Sequence, residues 1–65
     1  MSNKPEIGNA VERGSNVYVY DERNSPLFSR PGELYGYTSN TVSILRENRI
    51  HTYDSRGTSL SVRHA

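Results

Sequence analysis

The stretch Asn16-Val17-Tyr18-Val19-Tyr20-Asp21-Glu22-Arg23-Asn24-Ser25-Pro26-Leu27-Phe28-Ser29-Arg30 decides the reading of this chain. Four β-prone residues in a row, Val17 to Tyr20, run into Asp21-Glu22-Arg23-Asn24. Asp opens type I turns because its carboxylate accepts nearby backbone amides, and Asn tolerates the left-handed conformation that closes such a turn. The chain then returns over residues 26–30. Pairing outward from the turn sets Tyr20 against Pro26, Val19 against Leu27 and Tyr18 against Phe28. Pro26 has no backbone donor, so it must open its strand or lie on an edge.

The same arrangement returns 33 residues later. Residues 49–54 form a strand with Ile50, Thr52 and Tyr53, Asp54-Ser55-Arg56-Gly57 is the turn, and residues 58–63 return. Here Thr52 is expected to face Leu60, and Ile50 to face Val62. Tyr20 superposes on Tyr53, Asp21 on Asp54, Leu27 on Leu60 and Arg30 on Arg63. Going backwards, Val11 meets Ile44 and Arg13 meets Arg46. Repetition at such a period is a mark of duplicated units. Two similar halves, 10–30 and 43–63, are therefore expected, joined by a linker strand within 31–42. Gly36, between Tyr35 and Tyr37, suggests a bulge or bend there. Glu47-Asn48 is read as a hairpin tip, and Thr38-Ser39-Asn40 as a turn.

No stretch of ten residues carries apolar positions at helical spacing. The expected fold is all-β: a small antiparallel meander, barrel-like or sandwich, of five to six short strands. Residues 1–8 mix Ser, Asn, Lys, Pro and Gly and are read as a flexible arm before a single β domain, 9–65. No signal-peptide core or membrane-spanning run is present, and a cytoplasmic protein is the expectation.

Sixty-five residues without cysteine leave a small core with no disulfide or thiolate zinc site to reinforce it. The two histidines, His51 and His64, stand apart from any carboxylate cluster, so neither a metal nor a cofactor is expected. Self-association remains as the extra source of stability. By strand alternation Val17, Val19 and Leu27 share one face, and Tyr18, Tyr20 and Phe28 the other. In the second hairpin Ile50, Leu60 and Val62 form the aliphatic face, opposite His51 and Tyr53. The two aliphatic faces are expected to close on each other. Tyr18, Tyr20 and Phe28, with Tyr35 and Tyr37, are then the candidate interaction surface, to be covered by the linker strand or by another chain.

Asp21 and Asp54 are read as turn openers rather than catalytic carboxylates. No serine lies in a Gly-x-Ser-x-Gly elbow and no glycine-rich phosphate loop occurs, so no catalytic residue is expected. A net charge of +1 gives no general pull on nucleic acid. A single-strand binder is the alternative, in which Tyr18, Tyr20 and Phe28 would stack bases beside Arg30, Arg46, Arg49, Arg56 and Arg63. Against it, strand-edge arginines also discourage edge-to-edge aggregation.

Both turns resemble the YD repeat of RHS-type proteins, a Tyr-x-Tyr-Asp-x-x-Gly core followed by Leu. Tyr18-Val19-Tyr20-Asp21-Glu22-Arg23-Asn24 with Leu27 is similar, with Asn for Gly. His51-Thr52-Tyr53-Asp54-Ser55-Arg56-Gly57 with Leu60 is similar, with His for the first Tyr. The likeness implies hairpins and covers about a third of the chain; the layout as a whole resembles that of short bacterial proteins. The functional expectation is a non-catalytic interaction or assembly module: a homo-oligomer with a dimer favoured, formed by exchange of one three-strand half. A small inhibitor docking by a strand edge is a further alternative.

Overall fold

A computed structural model describes residues 6–65. Seven antiparallel strands follow in order: β1 (Ile7–Arg13), β2 (Asn16–Asp21), β3 (Pro26–Pro31), β4 (Glu33–Tyr37), β5 (Thr41–Arg46), β6 (Arg49–Asp54) and β7 (Ser59–His64). They form two meanders, a three-stranded sheet β1-β2-β3 and a four-stranded sheet β4-β5-β6-β7. The pair is a small sandwich with no closed barrel. Among the described residues no helix is long and apolar enough to cross a membrane. The linker segment proves to be a full strand, which raises the count from the expected five or six to seven.

Residues 7 and 8 of the expected flexible arm, 1–8, belong to the first strand. β1 begins at Ile7, which is buried and donates its backbone N–H to the Ser39 carbonyl at 2.8 Å. An isoleucine that can reach the core outweighs the Pro/Gly character around it. Residues 1–5 of that arm lie outside the described residues.

The Asp-led turns form as read, and with the same hydrogen bonds. The Asp21 carboxylate accepts from the Arg23 and Ser25 amides at 2.9 and 2.8 Å. The Asp54 carboxylate accepts from the Arg56 and Thr58 amides, both at 2.9 Å. Asn24 and Gly57 take the left-handed position (φ 68° and 86°), each donating its N–H to the carbonyl of the opening Asp at 3.0 Å. Two of the other three hairpins turn on Gly14-Ser15 and Glu47-Asn48, with positive φ at Gly14, Glu47 and Asn48, the backbone that two-residue hairpin loops demand.

Register departs from the simple outward pairing. Tyr20 pairs Pro26 as expected, but Val19 then pairs Phe28, Tyr18 pairs Ser29 and Val17 pairs Arg30. Tyr53 pairs Ser59, Thr52 then pairs Ser61 and His51 pairs Val62. Leu27 and Leu60 are the extra residues of two bulges, which shift each return strand by one. Phe28 therefore moves to the Val17 and Val19 face.

The sheets also meet differently from expectation. Val17, Val19 and Ala10 of the first sheet close on Val42, Ile44 and Tyr53 of the second, with Leu27, Phe28 and Leu34 packed alongside. Val17, Val19, Val42 and Ile44 are essentially inaccessible, and full burial of each such side chain contributes about 1.5–3 kcal/mol. Ile50 pairs Leu45 and Arg63 on the other face of its sheet and lies outside this cluster. The reason lies in β5, where Val42 and Ile44 put their apolar pair on the opposite alternation to Ala10, Val17 and Val19. The aliphatic face of the first meander thus packs against what corresponds, at an offset of 33, to its own opposite face.

The chain crosses between sheets at Gly32. Its N–H donates to the Ser15 carbonyl at 2.7 Å and its φ is 129°. A Cβ there would lie 2.5 Å from Ile44 Cγ2 and 2.8 Å from the Leu45 carbonyl oxygen. Gly36, the expected bend, does mark a bulge in the β4–β5 register, but a Cβ there would meet nothing within 4 Å. Of these two it is Gly32 that must be glycine, and Gly8, set against the Asp21 and Glu22 backbone, is as closely confined. Gly32→Ala should cost about 2–4 kcal/mol, read as a lowered urea midpoint, whereas Gly36→Ala should shift it far less.

Candidate interaction surface

Strand alternation and the two bulges together place every aromatic residue. Tyr18 and Tyr20 project from the outer face of the three-stranded sheet and are half-buried. Val11, paired with Tyr18, and Asn9, paired with Tyr20, share that face. Tyr35 is 61% exposed and Tyr37 44%. Phe28 does not belong to this surface. Its ring lies 6.1 Å from that of Tyr53 inside the sandwich, and Tyr53 in turn stacks on His51 with centroids 6.4 Å apart. The linker strand belongs to the other sheet, so it does not cover Tyr18 and Tyr20.

The arginines are dispersed rather than gathered beside those tyrosines. Arg30 sits over the Phe28 and Tyr53 rings, 5.2 and 5.3 Å from their centroids. It donates through Nη2 to the Gly57 carbonyl at 2.9 Å and through Nη1 to the Ser29 carbonyl at 2.8 Å. Its charge is thus used within the fold, in cation–π contacts and in joining one sheet to the turn of the other. Arg46 and Arg49 are exposed and pair across the Glu47-Asn48 hairpin. Arg56 lies in the second Asp turn, and Arg63 is on the face of the four-stranded sheet that points away from the core. The role of Arg30 could not be read from sequence, since it needs the bulge that brings Phe28 inward.

Some apolar surface was missed by counting tyrosines. Leu60 is 55% exposed and Val62 48%, both on β7. The three-stranded sheet lies over β4 and β5, leaving the terminal strand uncovered. Sequence signals a strand there, but only the count of strands in each sheet shows which strand overhangs.

Chemistry within the domain is sparse. Among the described residues no group of three or more histidine or acidic side chains could hold a metal ion. A cleft of about 350 Å³ at the β3–β4 corner is lined in part by Glu12, Ser15, Glu33, Arg46 and Glu47. The Glu22 carboxyl is held above its ordinary 4.5 chiefly by its hydrogen bond with Glu6, then by the Glu6 charge, with Asp21 adding to the effect and Arg23 opposing it. A raised carboxyl pKa stabilises the fold fully below the ordinary value, and this contribution fades as pH climbs through the folded-state pKa. Glu22→Gln should therefore melt slightly higher than the parent at pH 7, with the difference closing as pH falls toward 4; melting curves across that range check it.

The fold and surface define a small two-sheet β domain with one enclosed core and two outer sheet faces. Comparison with protein-family models, with curated proteins and with solved structures finds no match.

Proposed function

We infer that the chain is a non-catalytic protein–protein interaction module whose role is assembly. The observation that carries this reading is the outer face of the three-stranded sheet, where Val11, Tyr18 and Tyr20 lie side by side and only half-covered. Tyrosines on a rigid sheet offer large contact area at small entropic cost and keep their hydroxyls wet at the rim. A 65-residue chain with a two-layer core also gains most from further burial. Exposed Leu60 and Val62 on β7 point the same way. Single-strand nucleic-acid binding has less support, since Arg30 is committed to Phe28, Tyr53 and Gly57.

A self-assembling chain should sediment progressively faster from micromolar to millimolar concentration, and its melting temperature should rise over the same range. A constant monomer mass and a concentration-independent melt would overturn the assembly reading.

A further inference from the structure

The two Asp-led turns have the same internal hydrogen bonds, yet they are covered differently. Ser55 is 3% exposed and Gly57 is buried, while their counterparts Glu22 and Asn24 are exposed. Since the turns are alike, the difference comes from what lies over them. Over the second turn lie Arg30 and Phe28: a Cβ on Gly57 would be 3.0 Å from Arg30 Nη2 and 3.2 Å from Phe28 Cγ. Over the first turn lies only the start of β1, where a Cβ on Gly8 would be 2.5 Å from the Asp21 carbonyl oxygen and 2.7 Å from Glu22 Cα.

The intrachain contact is therefore made by two unlike faces. One, the face of Ala10, Val17, Val19, Phe28 and Arg30, belongs to the first meander. Its counterpart in the second meander is Ser43, Ile50, Thr52, Ser61 and Arg63 on the outer face of the four-stranded sheet, where Ile50 itself is buried, 4% exposed. The other, the face of Val42, Ile44, His51 and Tyr53, has its counterpart in Asn9, Val11, Tyr18 and Tyr20, which also points outward. Apart from Ile50, which is already covered within the chain, each molecule thus displays the counterparts of both halves of the contact that holds it together.

We propose that a second copy of this chain docks by the same contact, the outer face of its four-stranded sheet lying on the outer face of the first copy's three-stranded sheet, head to tail. This deepens the assembly reading and rests on it. Arg63 of one copy takes the place of Arg30: it lies over Tyr20 of the next, as Arg30 lies over Tyr53, and donates to the Asn24 carbonyl, as Arg30 does to Gly57. Ser61 in place of Phe28 leaves room for the Asn24 Cβ, where in the intrachain contact a Cβ on Gly57 would crowd Phe28. Leu60 follows Leu27 into the interface. One residue opposes the fit, Glu22, which stands where the intrachain contact buries Ser55.

Two unlike faces predict complementation. Tyr20→Glu should spoil one face and Arg63→Glu the other, each weakening self-association at least about tenfold. Mixed together, the two variants should form a discrete 1:1 pair by sedimentation velocity, because each retains the face the other has lost. Glu22→Ser should strengthen self-association. Circular dichroism checks folding, and Val11→Glu replaces Tyr20→Glu should the latter not fold. A parent chain that associates while the mixture stays monomeric, or an Arg63→Glu chain that associates like the parent, would overturn head-to-tail docking and leave the assembly reading intact. A parent that stays monomeric throughout would overturn both.

Discussion

Everything in this structure depends on the packing of Val17 and Val19 against Val42 and Ile44. Two meanders with matching turns would most simply meet through matching faces, giving a pseudo-twofold sandwich. They do not, because β5 carries its apolar pair on the opposite alternation. Matching faces would have set Val17 and Val19 against Ile50 and Thr52, beside Ser43 and Ser61, and left Val42 and Ile44 in water. Front-to-back packing buries both valines and both β5 aliphatics at once. In a chain with no disulfide, that choice settles which faces are left outside.

Arg30 shows how the contact is fastened at its margin. The bulge at Leu27 turns Phe28 inward, Phe28 meets Tyr53, and Arg30 covers both rings while bonding the Gly57 carbonyl. A lysine would not combine a flat stack with a directed hydrogen bond in this way. The second turn is thereby tied to the first sheet, and it carries glycine where the first turn, backed only by the start of β1, carries asparagine. The left-handed backbone accepts either residue; at the second turn the overlying guanidinium and Phe28 ring would crowd a Cβ, at 3.0 and 3.2 Å, and glycine avoids that tight fit.

Much of the fold was legible because turn chemistry is local. Asp21 and Asp54, each followed three residues later by a residue able to take positive φ, locate two hairpins, and the strands follow from β-prone runs on either side. Register was less legible. A bulge adds one residue without any marked residue type, and Leu27 and Leu60 look like ordinary strand positions. That single shift carried Phe28 from the expected exposed aromatic group into the core and removed one residue from the candidate surface. Gly36, read as a bulge or bend, does mark a bulge, but the glycine at the crossing was not legible: the need for Gly32 arises from Ile44 and Leu45, which are distant in sequence. The opposite-face packing, by contrast, was present in the alternation of Thr41-Val42-Ser43-Ile44 and could have been drawn from it.

The strength of a repeated contact follows from its substitutions. Relative to the intrachain interface, the outer faces offer Thr52 for Val19, Ser61 for Phe28 and Asn9 for Val42, and Ile50, in the place of Val17, is already buried within the chain. They keep an arginine and a tyrosine at the fastening point and lose much of the aliphatic filling. Such an interface is weaker than the core it resembles, and it lacks the covalent crossing at Gly32 that keeps the two sheets together within one chain. An association of this kind depends on concentration. Because its two faces differ, it extends into a ring or a filament instead of stopping at a symmetric pair. Glu22 sits at the point of tightest approach, where a charge resists burial most; the same carboxylate that leaves the first turn well solvated would keep such a stack reversible.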